Sequence, residues 1–358
     1  MIRVGLIGYG YASRTFHAPL IEATPGLELA AVASSDAAKV RADRPALHVH
    51  ADPGELVARA DVDLVVIPTP NDTHHPLARA ALGAGRHVVV DKPFTVTLAQ
   101  GEELVRLARE RGRVLSVFHN RRWDGDFLTL ERLLREGRLG RIVEATSCFD
   151  RFRPEVRARW REGGGFGSGL WYDLGPHLLD QALRLFGWPT AIALDRAALR
   201  DGAQADDWFC ARLRYERLRV TLHAGTLVAA HAPRFAVHGT RGSFVKDGLD
   251  VQEDALKAGL RPTSSAAADW GVDRGRARLL LRDEAGAITE HPVTLVRGDY
   301  AHYYAALAAA LRGEAANPVP PEEALDVMAL VEAGIASDLQ RREATAPLRP
   351  SSAQARQS

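Results

Sequence analysis

The chain has 358 residues, 46% of them hydrophobic, with 46 basic against 45 acidic side chains and a formal charge of +1. That length exceeds one ordinary domain, and so even a charge balance recruits neither nucleic acid nor an anionic membrane as a bulk partner. Two cysteines, Cys148 and Cys210, are too few for a disulfide framework or a four-cysteine zinc site and are read as ordinary buried thiols.

In chain order, Arg3 to Ile7 reads as a short buried strand running into Gly8-Tyr9-Gly10-Tyr11-Ala12-Ser13. In a turn of this spacing Gly8 permits the tight bend and Gly10 lets the backbone approach a dinucleotide pyrophosphate. A small third residue, here Ser13 rather than glycine, allows close packing of helix on strand. Tyr11 and Ala12 lie inside the same turn. A helix over Arg14–Ala23 and a strand over Leu27–Ala33 complete a βαβ unit. After that second strand, Ala33-Ser34-Ser35-Asp36 puts serines where an acid normally binds the ribose of NAD. Ser34 and Ser35, with Lys39 or Arg41 in reach, favour NADP over NAD, and Asp36 keeps NAD open. Strands at Leu64–Ile67, His87–Val90 and Val114–Phe118 then alternate with helices at Asp36–Arg44, Pro53–Arg59, Pro76–Gly83 and Leu98–Arg111. The alternation predicts a doubly wound parallel sheet over residues 1–119, a Rossmann domain whose ligands sit beyond the strand ends.

Three further clusters fall at those strand ends. Pro68-Thr69-Pro70-Asn71-Asp72-Thr73-His74 makes a rigid loop suited to a nicotinamide and its ribose, through Thr69, Pro70, Asn71 and His74; a plain connection with Thr73 as helix cap reads the same way. Asp91-Lys92-Pro93 points a lysine toward the cofactor side of the sheet, although a lone lysine after a strand is ordinarily a solvated charge. His119-Asn120-Arg121-Arg122-Trp123 stands at the domain boundary, where arginines hold hydroxyls or anions, or pair with acids.

Beyond Trp123 the pattern changes. Helices near Phe127–Glu136 and Asp173–Phe186, strands at Ile192–Ala198, Phe209–Tyr215, Val220–Gly225, Phe235–His238 and Ser243–Lys246, and helices at Asp299–Leu311 and Pro321–Arg341 predict a second α+β domain. It spans residues 120–343 and has a mainly antiparallel open sheet. Residues 344–358 read as a disordered tail. Arg151-Phe152-Arg153-Pro154 through Trp160-Arg161 and the glycine-rich 163–169 form either a mobile roof or a solvated charged face. Asp173 and His177, four apart on one helix, suit a proton-transfer pair. They suit a metal pair less, because no third ligand is spaced nearby, and an Asp cap with a buried His is an equal alternative.

With these clusters in order the chain resembles the Gfo/Idh/MocA family of sugar and polyol dehydrogenases over nearly all of residues 1–341. The resemblance rests on the Gly8-Tyr9-Gly10 turn, on Asp91-Lys92-Pro93 in the place of the family's Glu-Lys-Pro, and on Asp173 to His177. Phe118 to Asp124 and Asp150 to Val156 look most like its scyllo-inositol dehydrogenase branch. The resemblance implies that Lys92 is the catalytic lysine, that Asp173 orients substrate and that His177 is the general acid/base, with no metal. It also suggests dimers or tetramers of this chain.

The expected reaction is hydride transfer between NAD(P) and a CH–OH group of a cyclic polyol or sugar, in the cytoplasm, since the chain opens on a core strand and carries no apolar run long enough to span a bilayer. Asn120, Tyr172 and Asp173 exchange hydrogen bonds with hydroxyls in both senses. Trp123, Trp160 or Trp171 offers a face for a sugar ring, and Arg121, Arg122 and Arg153 keep an acidic sugar in play. A cofactor-binding sensor without turnover and a redox-neutral NAD-dependent glycosidase are the alternatives.

Overall fold

The computed structural model of the chain describes residues 1–59, 61–262 and 267–351. It divides into two compact units that interleave along the sequence. The first takes Met1–Trp123, Gln252–Trp270 and Asp299–Leu325, and the second takes Asp124–Val251, Gly271–Gly298 and the chain from Asp326 onward. The sequence had suggested a single cut after residue 119.

The first unit contains a six-stranded, all-parallel sheet: β1 (Ile2–Ile7), β2 (Leu27–Ala33), β3 (His48–His50), β4 (Leu64–Ile67), β5 (His87–Val90) and β6 (Leu115–Val117), in the order β3-β2-β1-β4-β5-β6. All four residues of β4 are buried, as are the last three of β5, which is why these strands read as continuous apolar runs rather than alternations. The order reverses between β1 and β4, so the switch point lies where β1 enters the glycine turn. The helices are α1 (Ala18–Glu22), α2 (Ala37–Asp43), α3 (Pro53–Ala58), α4 (Asn71–Gly83) and α5 (Leu98–Glu110). Asp36 and Asp52 cap α2 and α3, and Thr97 with Gln100 forms a capping box on α5. The sequence began α4 at Pro76; it begins at Asn71 and carries Pro76 inside it. Asn71 and His74 are buried in its first turn, and Thr73 lies inside the helix rather than capping it.

The second unit opens with α6 (Gly125–Arg135), β7 (Ile142–Cys148) and α7 (Leu170–Phe186), followed by β8 (Ala191–Ala197), β9 (Trp208–Arg214), β10 (Arg219–Gly225), β11 (Phe235–Gly239), β12 (Gly242–Lys246), β13 (Ala277–Arg282), β14 (Ile288–His291) and β15 (Ala344–Thr345). Its nine strands lie in the order β14-β13-β12-β11-β7-β10-β9-β8-β15, antiparallel throughout except for the parallel pair β7 and β10. One face of the central strands packs on α7: Leu178, Ala182 and Leu185 share a small cavity with Ala145, Leu222 and Val237.

Three more helices complete the chain, α8 (Gln252–Lys257) and α9 (Ala301–Leu311) in the first unit and α10 (Pro321–Gln340) running from the first into the second. The expected disordered tail is corrected in its first half. β15 pairs with β8, Trp188 donates to the Pro347 carbonyl at 3.1 Å, and Asp326 accepts from Arg349 at 2.7 Å and from the Ser351 hydroxyl at 2.8 Å. Its remainder, 352–358, lies outside the described residues. Among the described residues no helix is long and apolar enough to cross a membrane.

Candidate functional site

At the switch point of the first unit, Gly8 has φ of 87° and its amide donates to the Ala33 carbonyl at 2.8 Å, so the turn after β1 is tied to the end of β2. A Cβ on Gly8 would meet the Thr69 methyl at 3.0 Å, whereas a Cβ on Gly10 would meet nothing within 4 Å. Gly10 is exposed and outside the left-handed region, so no internal packing demands a glycine there. The open space over it leaves room for a group from outside to approach the backbone, as a dinucleotide pyrophosphate does in such turns. Ser13, fully buried, turns its hydroxyl onto the Gly8 carbonyl at 2.8 Å and so binds the helix start to the turn. A single π turn, Ser13–His17, follows and leads into α1. Tyr11 is exposed and donates to Glu253 at 3.1 Å; Ala12 beside it is half-buried. Ser34 accepts from the Asp36 amide at 3.2 Å and Ser35 is exposed, while the Asp36 carboxylate accepts from the Lys39 amide at 2.9 Å as the cap of α2.

Lys92 is only 9% exposed and stands two residues past the end of β5, in a cis peptide with Pro93. Its amide donates to Asp91 Oδ1 at 2.8 Å, while Asp91 Oδ2 stands 3.9 Å from His17 Nε2 in an electrostatic contact. Behind it, His17 Nδ1 meets the Tyr304 hydroxyl at 2.6 Å. Burial alone would raise the Asp91 carboxyl; His17, Lys92 and His74 overcome that and hold it down at about 2. The lysine therefore stands next to a buried carboxylate held ionised at neutral pH. His74 straps the neighbouring loops together, Nδ1 at 2.8 Å from the Pro93 carbonyl and Nε2 at 3.0 Å from the Thr69 carbonyl. The roles of Asp91 and His17 were not read from the sequence. A buried acid directly before the lysine was the available signal.

In the second unit, Asp173 and His177 lie one turn apart on α7, His177 buried and Asp173 half-buried with Oδ1 at 3.6 Å from Arg161 Nε. Asp173 is not the cap of this helix. Asp206, which the sequence did not single out, does that work: its main-chain carbonyl accepts from the Leu170 amide and its carboxylate from the Trp171 amide, both at 2.7 Å. Gly169 at φ 91° is required there, because a Cβ would come within 2.3 Å of Asp206. Gly175 lets the backbone lie against the Trp171 ring, and the ring is completely buried, edge-on to Phe209 at 4.9 Å, with Nε1 donating to the Val331 carbonyl at 3.2 Å. Trp171 is thus a core residue, and the expectation that it offers a face to a sugar ring is corrected. Tyr172 is buried beside Phe166, and burial pushes its hydroxyl up to about 12.

The remaining expected residues divide by environment. Asn120, Arg121 and Arg122 are buried in the first unit. Arg121 pairs with Glu253 at 2.7 Å and Arg122 with Glu323 at 2.6 Å, so internal acids account for both charges. Trp123 stands edge-on to Tyr303 at 5.7 Å. In the second unit Arg153 is half-buried, and Trp160 is exposed with the Arg161 guanidinium over its ring at 4.8 Å. The segment carrying them is pinned by Arg200, which donates to the Arg153 and Glu155 carbonyls at 3.3 and 3.0 Å and pairs with Glu162 and Asp207 at 3.1 and 2.9 Å.

These features define a nucleotide-binding oxidoreductase scaffold, and comparison with known proteins agrees. The NAD-binding Rossmann fold of the Gfo/Idh/MocA oxidoreductases matches residues 2–119, and the C-terminal alpha/beta domain of the same family matches residues 131–347. The chain belongs to the Gfo/Idh/MocA oxidoreductase family. It is 59% identical to the uncharacterised oxidoreductase YdgJ of Escherichia coli over 94% of this chain and 96% of that one. It is 39% identical to the NADP-linked scyllo-inositol 2-dehydrogenase IolW of Bacillus subtilis over 95% of each. A solved structure from Yersinia pestis, described as an oxidoreductase, superposes with a TM-score of 0.91 at 56% identity, covering 97% of both chains.

Proposed function

We propose that this chain is an NAD(P)-dependent dehydrogenase that oxidises a CH–OH group of a cyclic polyol or sugar, or reduces the corresponding ketone, and that it prefers NADP. The observation that carries the reading is Lys92, a lysine nearly lost to solvent at a strand end of the nucleotide-binding sheet, beside a carboxylate held ionised. A lysine serving solubility alone would not be buried there. The relation to a scyllo-inositol dehydrogenase supports the substrate class.

Hydride can leave a carbinol carbon only as the hydroxyl proton leaves, and bound nicotinamide supplies the acceptor, or in reverse the donor, of that hydride. His177 takes the hydroxyl proton. Lys92 donates a hydrogen bond to the same oxygen and favours its developing negative charge, and Asp173, steadied by Arg161, fixes a neighbouring hydroxyl. The NADP preference rests on Ser34 and Ser35 together with the engagement of Asp36 as a helix cap, which leaves serine hydroxyls rather than an acid for the adenosine ribose.

The deciding experiment measures kcat/KM for scyllo-inositol, myo-inositol, glucose, a uronic acid and lactate with each cofactor. A neutral ring with NADP should lead. Activity confined to lactate or simple alcohols overturns the substrate class, and turnover of a glycoside without added cofactor would mark the redox-neutral alternative.

A further inference from the structure

Far along the sequence from Lys92 and on a different element from His177, three side chains of metal-binding type meet on the second sheet. Cys148 ends β7, and Asp150 follows two residues later. The Phe149 amide donates to the His223 carbonyl at 2.8 Å, which continues the parallel β7–β10 ladder past the strand end. Cys148 and Asp150 therefore share a face, and His223, paired with Cys148 in register, shares it too. The alternate residues of β10, Val220, Leu222 and Ala224, are buried on the other face, where Leu222 meets α7.

The thiol sulfur, a carboxylate oxygen and an imidazole nitrogen of this trio all lie within 4.8 Å of one another. Asp150 Oδ1 is 2.8 Å from His223 Nδ1, yet the angles are not those of a hydrogen bond, and Oδ1 has no hydrogen-bond partner although its side chain is only 2% exposed. A buried carboxylate oxygen without a donor is costly. An ion pair here requires a protonated imidazole, whereas a metal ion held between the two groups takes the carboxylate oxygen and a neutral imidazole nitrogen as ligands.

We propose that Cys148, Asp150 and His223 bind a zinc ion. Thiolate, imidazole and carboxylate together suit borderline-soft Zn²⁺ better than the all-oxygen demands of Mg²⁺ or Ca²⁺. The charges also balance: one thiolate and one carboxylate neutralise the dication around a neutral imidazole, so a nearly buried complex carries no net charge. On binding, the Cys148 thiol gives its proton to solvent as the zinc–sulfur bond forms, and no electron is transferred. Three protein ligands leave a fourth position for water. The ion would tie the end of β7 to β10. It takes no part in the proposed hydride transfer, and its test is independent of that reading.

The experiment uses the full chain, stripped of metal and titrated with Zn²⁺ against a chromophoric chelator, and in parallel with Co²⁺. One equivalent per chain should bind, and cobalt should give a sulfur-to-metal charge-transfer band. Cys148→Ser should abolish that band. His223→Ala, at a side chain 22% exposed and so mild for the fold, should weaken zinc by more than about a hundredfold, beyond the loss expected from an outer-shell partner. If Cys148→Ser fails to fold, the wild-type cobalt spectrum and His223→Ala decide. No zinc uptake in competition, a cobalt complex lacking the thiolate band, or full affinity in His223→Ala overturns the proposal.

Discussion

Lys92 and Asp91 show how one residue's burial becomes chemistry. The Asp91 carboxyl beside the buried lysine is held below the usual carboxylate range because His17, Lys92 and His74 outweigh its desolvation. Replacing Lys92 or His177 by alanine should lower kcat by about a hundredfold or more, the usual loss for a positioned proton-transfer group, with NADP binding measured by fluorescence retained. Wild-type turnover in either variant would remove these residues from the mechanism. Asp91 gives a pH signature. Its folded carboxyl lies at about 2, below the ordinary unfolded value, so its stabilisation is complete above the unfolded value and disappears as pH falls toward 2. Relative to Asp91→Asn, the wild type should gain about 2 kcal/mol at neutral pH, with the gap closing as the solution is acidified from about pH 4 to pH 2. Denaturant titrations across that range check it, and a gap that stays constant with pH would contradict the assignment.

At the scale of elements, the legible pieces were those whose residues are uniformly buried or clearly punctuated. β2, β4 and β5 are short apolar runs between turn residues, and the glycine turn after β1 has a spacing few other sequences need. β3, with only three residues, gave no periodic signal. β7 was missed although it lies at the centre of its sheet: Ile142–Cys148 carries Glu144, Thr146 and Ser147, and its burial follows neighbouring strands rather than an alternation in its own residues. The start of α7 was misplaced by three residues because its cap, Asp206, arrives from a distant segment. Asp206→Ala should therefore cost about 1–2 kcal/mol, as loss of a helix cap does, and lower Tm by a few degrees. Calorimetry checks this, and an unchanged Tm would mean that the Trp171 amide finds another acceptor, since the alanine keeps the main-chain carbonyl that Leu170 uses.

At the scale of the whole molecule, the compact units interleave along the sequence, whereas a boundary drawn from local pattern makes one cut. The pattern does change after Trp123, but α8 and α9 return to the first unit after long excursions, and nothing in their own residues announces which sheet they serve. The sequence by itself determined the doubly wound sheet, the mainly antiparallel second sheet, the glycine turn and the family, because each rests on local spacing or on runs of side chains that must be buried together. It also placed Lys92 just beyond a strand end and Asp173 and His177 one turn apart on a helix, since strand ends and i,i+4 pairs are local geometry. Only the tertiary structure decided the rest: that Trp171 is core, that Arg121 and Arg122 meet internal acids, that Ala344–Thr345 forms an edge strand, that Asp91 is held ionised by His17, and that Cys148 and Asp150 meet His223. Each of these depends on a partner distant in sequence, and burial, ion pairing and metal-ligand geometry are properties of the pair, which neither residue carries alone.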